Sequence, residues 1–113
     1  MNLDQIIKEL DLKILTKQKS LSEVSPEIGY VSDLLSCVIA NAPHHCIWVT
    51  IQAHPNIVAV AALAEIAAVI ITEDAKPDET TIAKANDEGI TLLSTPKSSF
   101  YVVGKLWELG LRA

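Results

Sequence analysis

The 113-residue sequence has little of what most catalytic and phosphate-binding motifs require. It contains four glycines, and it has neither a G-x-x-x-x-G-K-[ST] loop, nor G-x-G-x-x-G, nor G-x-S-x-G. Backbone cradles for polyphosphates depend on glycine-rich loops of this kind. We therefore expect no catalytic residues, no cofactor and no enzyme that works alone.

A basic surface and a long apolar run are also missing. Nine Lys and Arg against 14 Asp and Glu give a net charge of −5, whereas proteins that bind nucleic-acid backbones carry basic patches. The apolar run Ile57–Ile71 is interrupted by Glu65 and is shorter than the roughly 20 residues of a membrane span. Met1–Leu10 carries acidic residues, unlike a signal peptide. These features predict a cytoplasmic protein that binds neither nucleic acid nor membranes.

The sequence has two cysteines, too few for a disulfide framework, and three histidines. Cys37 falls in a predicted helix and Cys46 in a predicted strand, so both are predicted to be reduced, buried thiols. His44 and His45 directly precede Cys46, and adjacent strand residues point to opposite faces, which prevents easy convergence on one ion. The sequence therefore predicts surface histidines before a strand and no metal site.

What the sequence does contain is a strand–helix–strand unit at its centre. Cys46–Ile51 has the composition of a buried strand, Pro55 suits the first turn of a helix over Ile57–Ile66, and Ala68–Ile71 returns to strand composition. This order is the repeating unit of a parallel sheet. The helix is apolar nearly all round, which predicts that both of its sides are covered.

The flanking segments alternate in the same way. Four further segments are predicted as helices: residues 3–10, a segment that begins at Tyr30 or Ser32 and ends at Pro43, a segment that runs from its N-cap Asp78 to Glu88 before Gly89, and Ser99–Leu109. Leu12–Leu15 and Ile90–Ser94 are predicted strands, Thr16–Ser20 a surface turn, and Leu21–Gly29 extended chain. The alternation predicts an α/β fold: one domain over residues 1–113, a sandwich with a mainly parallel sheet flanked by helices.

Three polar loops follow predicted strands, where open parallel sheets bind ligands. The candidate ligand-binding residues in these loops are Gln52, His54, Asn56, Thr72, Ser94, Thr95 and Ser98. The free N–H groups at a helix start offer an anion site. The alternative is that His54, Asn56 and Ser98 only cap helices. Asp33 is predicted to place its charge in the first turn of a helix, against the helix dipole.

Several separated segments resemble the DRTGG domain family. They are Gly29–Ser36, Trp48–His54, Asn56–Ala61 and Leu93–Pro96, and the similarity covers roughly residues 3–110. The family includes a module similar to the N-terminal domain of HPr kinase/phosphorylase and the insert between CBS domains of some pyrophosphatases. Where its naming motif reads Asp-Arg-x-Thr-Gly-Gly, residues 22–29 read Ser-Glu-Val-Ser-Pro-Glu-Ile-Gly. The P-loop domain that carries the chemistry of HPr kinase is not part of this sequence.

The resemblance implies a regulatory module that pairs with itself and is not catalytic. Our first hypothesis is a homodimeric ligand sensor that binds an adenine nucleotide or another anion at the 52–56 and 94–98 loops. The second is a scaffold for a partner enzyme, with no small-molecule ligand, that uses the apolar helix 57–66 and Trp107. A third, a small enzyme with His54 as acid or base, rests on that histidine alone.

Overall fold

The computed structural model describes residues 1–17 and 20–113, and these residues form a mainly parallel sheet with helices on both faces. Their elements, in chain order, are α1 (Leu3–Leu10), β1 (Lys13–Ile14), a 3₁₀ turn (Leu21–Glu23), β2 (Gly29–Val31), α2 (Leu35–Asn41), β3 (Ile47–Thr50), α3 (Asn56–Leu63), β4 (Ala68–Ile71), α4 (Glu79–Glu88), β5 (Leu92–Ser94) and α5 (Ser99–Glu108). The predicted α/β sandwich is confirmed.

The sheet has the strand order β1-β5-β4-β3-β2. Neighbouring strands from β2 to β5 are parallel, and β1 pairs antiparallel with β5 at one edge. All residues of β3 and β4 are buried. Helices on both faces leave these central strands no solvent-facing side, which explains why their sequences are unbroken apolar runs.

Two apolar clusters lie on opposite faces of the sheet. One joins α1 and α5 to the side chains of Ile47, Val49 and Ile70. The other joins α2, α3 and α4 to those of Trp48 and Val69. The alternation of side chains along β3 and β4 divides each strand between the two clusters.

Three predicted helix ends are confirmed. The Asp78 carboxylate accepts a hydrogen bond from the Thr81 N–H at 2.9 Å, and the Ser98 hydroxyl accepts one from the Tyr101 N–H at 3.1 Å. Gly89 follows α4 with a φ of 72°, in the left-handed region that glycine adopts without strain. Local side-chain chemistry therefore determines where α4 and α5 begin and where α4 ends.

The predicted helix that begins at Tyr30 or Ser32 is wrong in its first part. Gly29–Val31 is the edge strand β2, and α2 begins only at Leu35. Pairing of Tyr30 with Trp48 in β3 overrides the helical spacing of the apolar residues. Among the residues of that predicted stripe, which are Val31, Leu34, Leu35, Val38, Ile39 and Ala42, Val38 alone is buried.

The prediction that the central helix is covered on both sides is also wrong. Ile57, Val58 and Ala61 are buried, but Ala59 and Ala62 are exposed and Leu63 is 68% exposed. The sheet packs against one side of α3. The neighbouring helices α2 and α4 contact α3 as well, but they leave its outer side exposed. The apolar sequence therefore leaves an apolar strip on the surface.

The predicted surface turn Thr16–Ser20 and the predicted extended segment Leu21–Gly29 also differ from the structure. Thr16, predicted in a surface turn, is buried, and its hydroxyl accepts a hydrogen bond from the Leu92 N–H at 3.2 Å. The rest of that predicted turn includes residues 18 and 19, which lie outside the described residues. The predicted extended segment before β2 begins with the 3₁₀ turn Leu21–Glu23.

Candidate functional site

The three predicted ligand loops meet at the carboxyl edge of the sheet. The Thr72 N–H donates to the Thr50 carbonyl at 3.0 Å, and the Glu73 N–H donates to the Lys97 carbonyl at 2.8 Å. The Asp74 N–H donates to the Thr95 carbonyl at 3.1 Å. Backbone hydrogen bonds thus connect the loops after β3, β4 and β5 into one polar surface, which we call the polar edge.

Gln52, His54 and Asn56 form the most accessible part of the polar edge. His54 and Asn56 are exposed and Gln52 is half-buried. The His54 ring accepts a hydrogen bond from the Asn56 N–H through Nδ1 at 3.1 Å, so it satisfies one amide at the start of α3. The Gln52 amide donates to the Asp33 carbonyl at 3.0 Å. Capping by His54 is therefore realised, while its ring stays open to solvent.

Asp33 does not have the role expected from the sequence. It precedes α2 instead of lying in its first turn. Its Oδ1 accepts hydrogen bonds from the Thr50 hydroxyl and from the Ile51 N–H, both at 2.9 Å. The carboxylate therefore anchors the loop that carries Gln52 and His54. Nothing in the sequence spacing indicates this contact, because Asp33 and Thr50 meet only through the pairing of β2 with β3.

Thr72 and Thr95 lie inside the polar edge. Thr72 is fully buried, and its hydroxyl shares a hydrogen bond of 2.5 Å with that of Ser99. The buried Thr95 hydroxyl accepts from the Lys97 N–H at 3.2 Å. Ser94 is half-buried in β5, and Ser98 is exposed as the N-cap of α5. Of these four predicted residues, Ser98 alone presents an exposed side chain.

A carboxylate of the chain itself already occupies the start of α5. Glu73 Oε2 accepts a hydrogen bond from the Ser99 N–H at 2.8 Å. Glu73 and its neighbour Asp74 have φ values of 59° and 60°, in the left-handed region that is uncommon for residues other than glycine. An anion at this helix N-terminus would therefore have to replace Glu73.

The charges around the polar edge are mainly acidic. Glu73, Asp74 and Asp78 follow β4, with Lys76 bonded to Asp74 at 3.2 Å. Hydrogen bonds from the Thr81 N–H and hydroxyl hold the pKa of Asp78 below its ordinary value. Within residues 1–17 and 20–113, no group of three His, Cys, Asp or Glu side chains is arranged to hold a metal ion.

Two apolar side chains stand at the border of the polar edge, and sequence reasoning missed both. Phe100 is 91% exposed in the first turn of α5, directly after Ser98 and Ser99. Ile51 is exposed in the loop that follows β3. A nearly uncovered phenyl ring beside polar loops is the kind of surface on which a planar base stacks. The signal in the sequence was the single phenylalanine, two residues after the predicted cap Ser98.

The two thiols differ from one another. Both cysteines are free, but Cys46 is buried whereas Cys37 is half-buried, so the prediction of two buried thiols is confirmed only for Cys46. Cys37 Sγ lies 3.1 Å from the Tyr30 hydroxyl and 3.5 Å from the Asn41 amide nitrogen, and these contacts lower the pKa of Cys37. Burial raises the pKa of Cys46 to about 11.

The sequence of the chain matches the model of a known protein family. The family model for the DRTGG domain matches residues 5–109, and the chain belongs to this family. No curated protein matched the chain. None of the described helices is long and apolar enough to cross a membrane.

The chain is also similar to a solved structure that contains such a domain. That structure comprises the CBS and DRTGG domains of the regulatory region of Clostridium perfringens pyrophosphatase, complexed with its activator diadenosine tetraphosphate. The match has a TM-score of 0.76 and 20% sequence identity, and it covers 91% of this chain and 44% of that chain. The likeness shows a shared fold, and this chain spans less than half of the neighbour's length.

Proposed function

We propose that this protein is a non-catalytic regulatory module that senses an adenine nucleotide or a related anion at the polar edge. The observation that supports the proposal most directly is the joining of three polar loops at one end of the sheet, next to an exposed phenyl ring. Membership of the DRTGG family agrees with a regulatory role, since in the pyrophosphatase this domain lies in a regulatory region. We further propose that the module is cytoplasmic and acts as a homodimer.

The candidate residues take two roles in this proposal. Gln52, His54 and Asn56 contact the anionic group, because they are the accessible polar residues at the start of α3 and, among the described residues, no carboxylate caps that start. Ser98 borders the same ligand. The less accessible hydroxyls of Ser94, Thr72 and Thr95 hold the loops in place and act only through the backbone that they position.

The base of the nucleotide stacks on Phe100 in the same proposal. Stacking on an aromatic ring is worth about 1–3 kcal/mol per base. A single ring with one face open tolerates any base, so the selectivity for adenine has to come from the neighbouring polar groups. Trp107 offers a matched control, since it is a second exposed aromatic residue near the other end of α5.

Calorimetry with ATP, ADP, AMP and diadenosine tetraphosphate tests the proposal. We expect at least one of them to bind, with weaker binding in Asn56→Ala and Phe100→Ala and unchanged binding in Trp107→Ala. We also expect weaker binding in His54→Ala. His44→Ala is its control, because His44 is an exposed histidine before the amino end of β3. A folded protein that binds none of the four nucleotides would contradict the ligand hypothesis.

A second candidate function is a scaffold that binds a partner enzyme without a small-molecule ligand. The observation in its favour is that the apolar strip extends from α3 to the neighbouring α2. Leu63 in α3 is 68% exposed, Ile39 in α2 is exposed, and Leu34, directly before α2, is 66% exposed. Contiguous exposed apolar surface usually marks an interaction site. Light scattering of the wild type and of Leu63→Ser distinguishes the uses of the strip. A dimer that dissociates in Leu63→Ser assigns the strip to self-association, and an unchanged monomer leaves it for a partner.

A further inference from the structure

The free edge of β2 and the groove beside it form a second surface, and none of the candidate ligand residues lines the groove. In the parallel register, the Ile47 N–H donates to the Ile28 carbonyl and the Ser32 N–H donates to the Val49 carbonyl. These two bonds fix the alternation of the strand. The N–H and C=O groups of Tyr30 therefore face β3, and those of Gly29 and Val31 face away from the sheet.

Part of this edge is already paired by a segment of the same chain. The Arg112 N–H donates to the Glu27 carbonyl, and the Gly29 N–H donates to the Arg112 carbonyl, both at 3.0 Å. Arg112 thus acts as one residue of an added strand that runs parallel to β2. Among the described contacts, the next groups along the edge, the Gly29 C=O and the Val31 N–H, have no partner.

An apolar groove of about 140 Å³ lies along the same edge. Val31 and Val49 form its floor, and Val103, Leu106 and Trp107 of α5 form one wall. A cavity of about 150 Å³ with apolar walls is large enough to hold benzene. The groove therefore has room for one branched or aromatic side chain, and it adjoins unpaired main-chain groups.

We propose that the edge of β2 binds an extended segment of a partner protein, which continues the added strand past Arg112 and places one large apolar side chain in the groove. The main chain of that segment bonds the Gly29 C=O and the Val31 N–H, as in other proteins that bind peptides by strand addition. Continuity with the pairing of Arg112 sets its direction, parallel to β2.

Side chains alternate between the two sides of an extended chain, and this alternation determines which residues of the segment face the groove. Leu111 and Ala113 line the groove, so the second residue after Ala113 in the same strand lies on the groove side, aligned with Val31. The residue before it lies next to Arg112, whose guanidinium stacks over the Trp107 ring at 4.5 Å. Arg112 is the charged side chain in the groove lining of this acidic chain, so an acidic residue complements it there.

A tethered probe tests this proposal on the full chain. The sequence Glu-Leu-Thr-Val is appended after Ala113, which presents the segment in the predicted register at high effective concentration. Amide hydrogen exchange is then followed at Val31, with Tyr30 as an internal reference within the ladder. We expect exchange at Val31 to slow by about tenfold or more, while Tyr30 stays unchanged.

Two variants separate strand addition from a general gain in stability. Proline in place of the appended Glu removes the N–H that would bond Gly29, and it should abolish the protection of Val31. Asp in place of the appended Leu should reduce the protection, because a charge is costly in the apolar groove. Both variants keep the length of the extension and leave the folded domain untouched.

Two outcomes would overturn the proposal. One is exchange at Val31 that is as fast with the Glu-Leu-Thr-Val extension as without it, in a protein whose Tyr30 amide remains protected. The other is a slow Val31 amide in the unextended chain together with a dimer in light scattering, since the edge would then pair with a second copy. Neither outcome depends on the nucleotide hypothesis, which concerns the polar edge and is tested separately.

Discussion

At the scale of single residues, Asp33 anchors the loop that carries Gln52 and His54. Its Oδ1 bonds both the buried Thr50 hydroxyl and the Ile51 N–H. We expect Asp33→Ala to lower the free energy of unfolding by about 2 kcal/mol, because it leaves a buried hydroxyl without its acceptor. Urea unfolding monitored at the buried Trp48 measures this loss.

A matched substitution makes the Asp33 test specific. Asp87→Ala removes an exposed carboxylate from α4, and we expect it to change the stability by less than about 0.5 kcal/mol. Asp33→Asn keeps one side-chain oxygen and should retain part of the stability. Equal losses in Asp33→Ala and Asp87→Ala would show that the two hydrogen bonds contribute nothing specific.

The two cysteines give a second prediction at this scale. The Tyr30 hydroxyl and the Asn41 amide lower the pKa of Cys37, whereas burial raises that of Cys46 to about 11. A lowered pKa means more thiolate near neutral pH, so a disulfide reagent should modify Cys37 in the folded protein and Cys46 only after unfolding.

The pH dependence of labelling tests the role of Tyr30. Tyr30→Phe removes the hydrogen bond to Cys37 Sγ, so its labelling should slow at about pH 7 and approach the wild-type rate above the ordinary thiol pKa of about 8.5. Faster labelling of Cys46 than of Cys37 in the native protein, or a Tyr30→Phe profile equal to that of the wild type, would contradict this prediction.

At the scale of elements, Glu73 at the start of α5 affects both the stability of the fold and the charge of the polar edge. Glu73 bonds the Ser99 N–H at 2.8 Å and places a negative charge on the polar edge. We expect Glu73→Ala to destabilise the protein by about 1 kcal/mol, since a charge-assisted hydrogen bond on the surface is lost. The same variant should bind an anionic nucleotide several-fold more tightly, because a negative charge near the polar edge is removed.

Thermal unfolding and calorimetry on the same samples measure both effects. Asp74→Ala is the control, because it removes an adjacent acid that bonds Lys76 and not the α5 backbone. It should change the stability less. A Glu73→Ala protein that is less stable and also binds nucleotides more weakly would contradict the prediction, because Glu73 would then support ligand binding instead of repelling the anion.

The elements also show which parts of the fold the sequence could predict. Local chemistry was sufficient to predict the helix starts that a side chain caps, at Asp78 and Ser98. It was also sufficient for β4, whose unbroken apolar sequence is typical of a buried strand. It failed at Tyr30 and Val31, since these residues, predicted to lie at the start of a helix, belong to a strand that pairs with β3. Tertiary pairing is not encoded in a periodicity, and short edge strands depend on it most.

The same distinction applies to the candidate site. The carboxyl edge of the sheet could be predicted because parallel strands align their ends, and the loops that were predicted do meet there. The contacts of Asp33 with Thr50 and of Glu73 with Ser99 join residues 17 and 26 positions apart. No spacing rule connects such pairs, so the anchoring of the loops became visible only in three dimensions.

At the scale of the whole molecule, the described residues present three separate surfaces. The polar edge lies at the carboxyl ends of β3 to β5, the apolar strip lies on α2 and α3, and the groove lies beside β2. A regulatory module needs a surface for its signal and another for its response. We propose that the polar edge receives the ligand and that one of the apolar surfaces contacts the protein that is regulated.

The most direct test of the central proposal is the thermal stability of the intact protein with and without diadenosine tetraphosphate and ATP. A ligand that binds only the folded state stabilises it by about 2.7 kcal/mol at 100 times its dissociation constant. We predict a clear rise in Tm with one of these nucleotides, reduced in Asn56→Ala and kept in Trp107→Ala. An unchanged Tm with both nucleotides, in a protein that unfolds cooperatively, would contradict a sensor of adenine nucleotides.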